Sequence, residues 1–400
     1  MKKKYLIIII GFAILIKAIL FSFSIINDPQ SKFVNDSYRY LNTGETIVSA
    51  GVFGTRDTNG IPKSDFFIAP VYPLFIGVLH QLLRIPLSGV ILIQVMLTIF
   101  TAFIAYKAAI EIDPRLGFLT LVILLYSPVI TILSLLILTE SMFLLFITLF
   151  MFYFVKYLKT GKVKSVMLAA LMFTIAVYVR PGPYFFGIAI AVFIIYANVT
   201  HDIKVAIFHA LILLAVVYGL LGLWQIRNYL IFGKAVFSSI LSVDTINSGL
   251  FHSYSRNHDP FTQGMSPIHY YINVAWRCFL SLFTRPGSFK YFHCSPLTII
   301  GKVIAYPWMV FWMTGFLIGI TKIKRNIYYQ FLFLIITCFA CGTIIVMMWN
   351  VGERFSVPMI PFIAIISAHG WISLFSLKFG FRKSFMSRMY PSKSKTSGKD

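Results

Sequence analysis

Met1-Lys-Lys-Lys-Tyr5-Leu-Ile-Ile-Ile-Ile10-Gly-Phe-Ala-Ile-Leu15-Ile-Lys-Ala-Ile-Leu20-Phe-Ser-Phe-Ser-Ile-Ile26 opens the chain. It reads as a basic end followed by an apolar run of the length, about 20 residues, that a helix needs to cross a bilayer core. No small-residue cleavage site follows, so the run is expected to stay as a membrane span and not to be removed as a signal peptide. The same character continues beyond it. Apolar residues make up 58% of the 400, charged residues 12%, and the mean hydropathy is +0.83. A soluble domain could not keep that much apolar surface from water, so lipid is the solvent of this chain.

Ten such runs are expected, at roughly 5–26, 88–109, 116–134, 138–156, 165–179, 182–198, 203–225, 299–320, 327–348 and 357–377. The fold class is therefore all-α and polytopic, with a transmembrane domain over residues 1–377 and a basic tail over 378–400. The fifth and sixth runs are short and meet at Arg180-Pro-Gly-Pro183, a proline-broken turn. The formal charge of +22 points to the membrane and not to nucleic acid, because 20 of the 35 basic residues fall in the termini and in alternate short connections. That pattern puts both termini in the cytoplasm. Two long external segments remain, about 27–87 and 226–298, and Asp36, Glu140, Arg180, Arg227, Glu353 and Arg354 all lie at external helix ends. Charges at such positions tend to face a cavity or a partner.

Only 13 residues are acidic, so each matters. Asp36 stands in Asn35-Asp36-Ser37, a helix-start signal before the helically spaced Tyr38–Ala50. It is either the cap of that helix, for which Asp is well suited, or part of a reaction centre. A Gly-rich turn, Gly51-Val-Phe-Gly54, and an aromatic segment from Phe66 to about Leu83 complete a picture of two interfacial helices. Lys17 lies past the middle of the first span and either snorkels outward or faces a pocket. His209 and His369 sit singly on apolar helices and read as packed residues. Cys338-x-x-Cys341 lacks further ligands for a zinc site. Cys278 and Cys294 share an external loop where a disulfide is chemically permitted.

Asp36-x3-Tyr40, Gly51-x-Phe53 and Pro70-x-Tyr72-Pro73-Leu74-Phe75 resemble the first external loop of GT-C superfamily glycosyltransferases. The closest branch is the bacterial one related to protein O-mannosyltransferases and the aminoarabinose transferase of lipid A. Four more segments resemble that family in order: Leu138-Thr-Glu-Ser-Met-Phe143, Val179-Arg-Pro181, Trp224-Gln-Ile-Arg-Asn-Tyr-Leu-Ile-Phe-Gly233 and Gly352-Glu-Arg-Phe-Ser-Val-Pro-Met-Ile-Pro361. The resemblance covers about residues 1–375. It implies transfer of a sugar from a polyprenyl-phosphate donor to an extracytoplasmic acceptor (glycan, lipid or protein), in a bacterial cytoplasmic membrane. It departs from the family at Ala69-Pro70-Val71, where many relatives carry a basic residue, and at Ser37, where some carry a second acid. Arg56 and Lys63 are the alternatives for the missing basic contact.

By that resemblance Asp36 is the catalytic carboxylate, a base for the acceptor hydroxyl. Glu140 is the second carboxylate, which orients the acceptor or shares a divalent cation, Mg²⁺ or Mn²⁺, with Asp36. Arg180, Arg227 and Arg354, with Tyr40, are the donor-phosphate candidates, since a guanidinium presents a fixed fork of donors. Each arginine has the alternative of meeting lipid headgroups, and Glu353 that of pairing with a neighbouring arginine. A glycan polymerase or ligase is the rival enzyme. A lipid-linked-sugar flippase would call for internal repeats and charges near the midplane, and no repeat is seen.

Overall fold

The computed structural model describes residues 3–27, 30, 32–199, 202–238, 266–284, 295–323, 326–347 and 353–378. The first span is α1 (Lys3–Asn27). The segment between the first two spans then folds as α2 (Asn35–Ala50), a hairpin of β1 (Gly54–Arg56) and β2 (Pro62–Ser64), and α3 (Val71–Ile76), which continues in π-helical geometry to Leu82. After it come α4 (Leu87–Ile112), α5 (Leu116–Leu125), α6 (Pro128–Ser134), α7 (Glu140–Thr160), α8 (Val163–Val179), α9 (Phe186–Asn198) and α10 (Ile203–Phe232). The last four are α11 (Pro267–Thr284), α12 (Ser295–Lys322), α13 (Ile327–Met347) and α14 (Ile360–Lys378), the last entered through a 3₁₀ turn at Glu353–Met359.

All ten expected apolar runs are helical, but they are not ten equal crossings. Among the described residues seven helices are long and apolar enough to span a bilayer, or eight if α5 and α6, bent by 49°, form one broken span. The break has a local cause. Pro128 cannot continue the helical ladder of α5, and Ser127 caps α6 by accepting the Ile130 N–H at 3.4 Å. Helices α8 and α9, with 17 and 13 residues, stay below spanning length.

The hairpin is a feature that the sequence reading passed over. Its turn is Asp57-Thr-Asn-Gly60, where Asp57 Oδ1 accepts the N–H groups of Asn59 and Ile61 and Gly60 takes φ +77°. Asn-Gly is a hairpin signal, muted here by strands of three residues each. Helices α2 and α3 cross so closely that a Cβ on Gly77 would stand 2.6 Å from the Gly44 carbonyl oxygen.

The core is a phenylalanine and alanine interior. Ala102, Ala105 and Ala109 of α4 let α7 approach, and Phe154 of α7 stacks on Phe331 of α13 at 4.2 Å. On the other flank Gly315 and Gly319 of α12 meet α14 at Gly370: a Cβ on Gly319 or Gly370 would collide with backbone, and one on Gly315 with the Ser367 and Trp371 side chains. Small residues at such spacing permit the close helix contact that membranes favour. Helix α1 is pinned to the break by two hydrogen bonds. Tyr126 Oη donates to the Ile9 carbonyl at 2.7 Å, and Lys17 Nζ donates to Thr131 Oγ1 at 2.7 Å. Lys17 is thus buried in the bundle and does not snorkel. His209 is packed as expected, 3.2 Å from Tyr157 Oη. Cys294, the Glu353 side chain, most of the 226–298 segment and the tail beyond Lys378 lie outside the described residues.

Candidate active site

Helix α2 begins without help from its aspartate. The cap position is Val34, whose N–H donates to Ser37 Oγ at 3.0 Å. Ser37 also donates to the Ile137 carbonyl at 2.8 Å, which ties the helix start to the segment before α7. Asp36, in the first turn, is left to point elsewhere. The capping role considered from sequence therefore belongs to Ser37, the residue that stands where some relatives carry a second acid.

Asp36 accepts a 2.7 Å charge-assisted bond from Arg354 Nη2, donated from the 3₁₀ turn that leads into α14. Glu140 opens α7, and its Oε1 accepts from Arg180 Nη1 at 3.1 Å, with Arg354 Nε 3.9 Å away. Thr139 Oγ1 donates to its other oxygen at 3.4 Å. Arg180 follows α8 and precedes Pro181, and the proline explains its extended backbone, φ −147° and ψ 120°. The Phe355 ring lies under both guanidinium groups, 5.0 Å from that of Arg180 and 5.5 Å from that of Arg354. Four helix ends thus meet in one network of two acids and two bases. The two acids differ sharply in environment: the Glu140 side chain is 4% exposed and that of Asp36 44%.

Tyr40 lies one turn beyond Asp36 and joins the same group. Burial first, then the Asp36 and Glu140 charges, hold its phenol above the usual tyrosine value, with Arg180 and Arg354 opposing. Its ring meets Tyr72 edge-on at 5.0 Å. Tyr72 is itself held protonated by burial and by its neighbours Tyr40 and Glu140. From here a buried relay descends. Tyr72 Oη donates to Gln94 Oε1 at 2.5 Å, and Gln94 Nε2 donates to the carbonyls of Leu136 at 2.7 Å and Ser134 at 3.3 Å. Residues Leu135–Thr139 are the irregular stretch that delivers Glu140, and irregular backbone inside a membrane protein is tolerated only where protein satisfies it. Gln94 does that work, and sequence reading missed it. A lone amide in the apolar α4 was the available signal.

Arg227 does not join the cluster. Its guanidinium donates to the carbonyls of Asp65 at 3.0 Å and Phe53 at 3.3 Å, and it lies over the rings of Trp224, Phe53 and Phe232. It fastens the hairpin to the C-terminal end of α10, and Ser238 Oγ adds a bond to the Phe67 carbonyl at 2.6 Å. Arg56 likewise turns to Glu45, 3.7 Å away. As a metal site the cluster is a poor fit. Among the described residues no three His, Cys, Asp or Glu side chains come together, and Asp36 and Glu140 each face a guanidinium.

Residues 68–224 match the family described as dolichyl-phosphate-mannose-protein mannosyltransferase. The fold is similar to that in the crystal structure of the Archaeoglobus fulgidus oligosaccharyltransferase in the apo form. The TM-score is 0.57 at 14% identity, over 97% of this chain and 52% of that one, so the chain spans about half the length of that enzyme. Comparison with curated proteins gives no match. The similarity to that family thus runs from just before α3 into α10 and includes Glu140 and Arg180 of the cluster.

Proposed function

We propose that this protein moves a sugar from a polyprenyl-phosphate carrier to a hydroxyl group of a cell-envelope acceptor (glycan, lipid or protein) outside the bacterial cytoplasmic membrane, with both chain ends in the cytoplasm. The observation that carries the reading is the meeting of Asp36, Glu140, Arg180 and Arg354 at four helix ends. The acceptor oxygen attacks the anomeric carbon and its proton passes to the Asp36 carboxylate. The bond from that carbon to the phosphate oxygen breaks, and its electron pair leaves with the phosphate. One displacement inverts the anomeric centre, and the products are the glycosylated acceptor and a polyprenyl phosphate.

Each group has a place in that chemistry. Guanidinium forks of Arg180 and Arg354 hold the phosphate and stabilise its growing charge. Glu140 fixes both forks and, with Tyr40, orients the acceptor. Tyr40 stays protonated and so serves as a neutral donor. The poor fit of the site to a cation means that no step is routed through one.

Transfer assayed in membranes with a radiolabelled polyprenyl-phosphate sugar tests the reading. Loss of a positioned base costs about 10²-fold to 10⁴-fold, so Asp36→Asn is expected to fall by that factor, and Glu140→Gln with it. Wild-type rates in both, at normal protein levels, would sink the proposal.

A further inference from the structure

The network is electrically closed. Two carboxylates face two guanidinium groups, so among the described residues of the cluster each guanidinium already faces a carboxylate when the phosphate of a donor arrives. A phosphate that enters must take a guanidinium from a carboxylate. The two pairs are not equally easy to open. Glu140 is almost wholly buried, is held by Arg180 at 3.1 Å and has Arg354 and Thr139 close by. Releasing it would strand a buried charge, which is strongly unfavourable. Asp36 is half exposed and is held by Arg354 at 2.7 Å, so water can solvate it once released.

Resting on the proposed transferase reading, the geometry points to a carboxylate-for-phosphate exchange at Arg354. The donor's phosphate takes the guanidinium that Asp36 now occupies, and the freed carboxylate becomes the base for the acceptor. Before the donor arrives, Asp36 is engaged as the counter-ion of Arg354, with Oδ2 accepting from Nη2 at 2.7 Å. The base is therefore unmasked by the donor itself. The order of binding, donor before acceptor, follows. Phe355 assists by keeping the Arg354 guanidinium in place, 5.5 Å from its ring, while the anion changes. No bond other than ionic and hydrogen bonds is made or broken in the exchange, and charge balances because the donor's phosphate replaces a carboxylate at the same cation.

Binding of decaprenyl phosphate to the purified full chain in lipid nanodiscs tests the exchange without requiring turnover. Removing the competing carboxylate with Asp36→Asn is expected to tighten binding by about fivefold, the factor that corresponds to a part-exposed ion pair at the upper end of its usual strength. Removing a nearby negative charge would by itself tighten binding, so the decisive readout is a double-mutant cycle. In an Arg354→Gln background the gain from Asp36→Asn is expected to vanish. A gain equal to or greater than that in the wild-type background means simple repulsion and overturns the exchange. If Arg354→Gln does not fold, Arg354→Lys, which keeps the charge and loses the fork, is read the same way, with a reduced gain expected. Wild-type binding that Asp36→Asn leaves unchanged or weakens also overturns the exchange, while the transferase reading stands on its own assay. No binding by wild type or by Asp36→Asn removes both.

Discussion

Glu140 and Asp36 are chemically near-identical side chains with different physical situations. Glu140 is a buried charge, and its stability depends on its partners. Arg180→Gln is expected to lower stability by about 3 kcal/mol, read as a lower melting temperature in detergent, because it leaves Glu140 short of its nearest cation. Adding Glu140→Gln to that variant is expected to restore most of the loss while transfer stays absent. Asp36, half exposed, should tolerate removal of its charge with little change in melting. The charge pattern of the sequence led us to expect both acids and all three arginines on one membrane side, and the structure brings four of these five together. It could not show that Arg227 is spent on the hairpin, because a guanidinium aimed at backbone carbonyls and one aimed at a phosphate look alike in one dimension. Nor did it reveal that Ser37 would take the cap, since Asn35, Asp36 and Ser37 are all good capping residues.

At the scale of elements, the site depends on the irregular stretch Leu135–Thr139 between α6 and α7. Its carbonyls are satisfied from two directions, by Gln94 of α4 and by Ser37 of α2. Gln94→Leu keeps the volume of the side chain approximately and removes its donors. The Leu136 carbonyl then keeps only the Leu138 N–H, the buried Tyr72 hydroxyl loses its acceptor, and the stretch can shift. A displacement of about 1 Å at a reacting group costs on the order of 10²-fold in rate, so kcat is expected to drop by about that much while the KM for donor changes little. Kinetics on membranes with matched protein levels decide this. The helices were legible because ten apolar runs leave few other readings. The hairpin and the π-helical end of α3 were not, because each is set by a handful of residues whose backbone demands do not show in hydropathy.

Over the whole molecule, the glycine seam between α12 and α14 sets how closely α12 packs on the helix into which the Arg354-bearing 3₁₀ turn runs. A side chain at Gly370 would collide with α12. Gly370→Val is expected to cost about 1–3 kcal/mol from overpacking and to lower transfer as well, by displacing Arg354; melting curves and the transfer assay check both. Helices α8 and α9 are short. Their 17 and 13 residues rise only about 26 Å and 20 Å, against a hydrocarbon slab of about 30 Å. The turn that joins them carries Arg180. A bilayer around these two helices must therefore pinch inward, or leave a wet well down to that turn. Either way, under the proposed function a water-soluble acceptor and an oil-soluble carrier can meet at the arginine without the carrier's isoprenoid tail being lifted out of lipid.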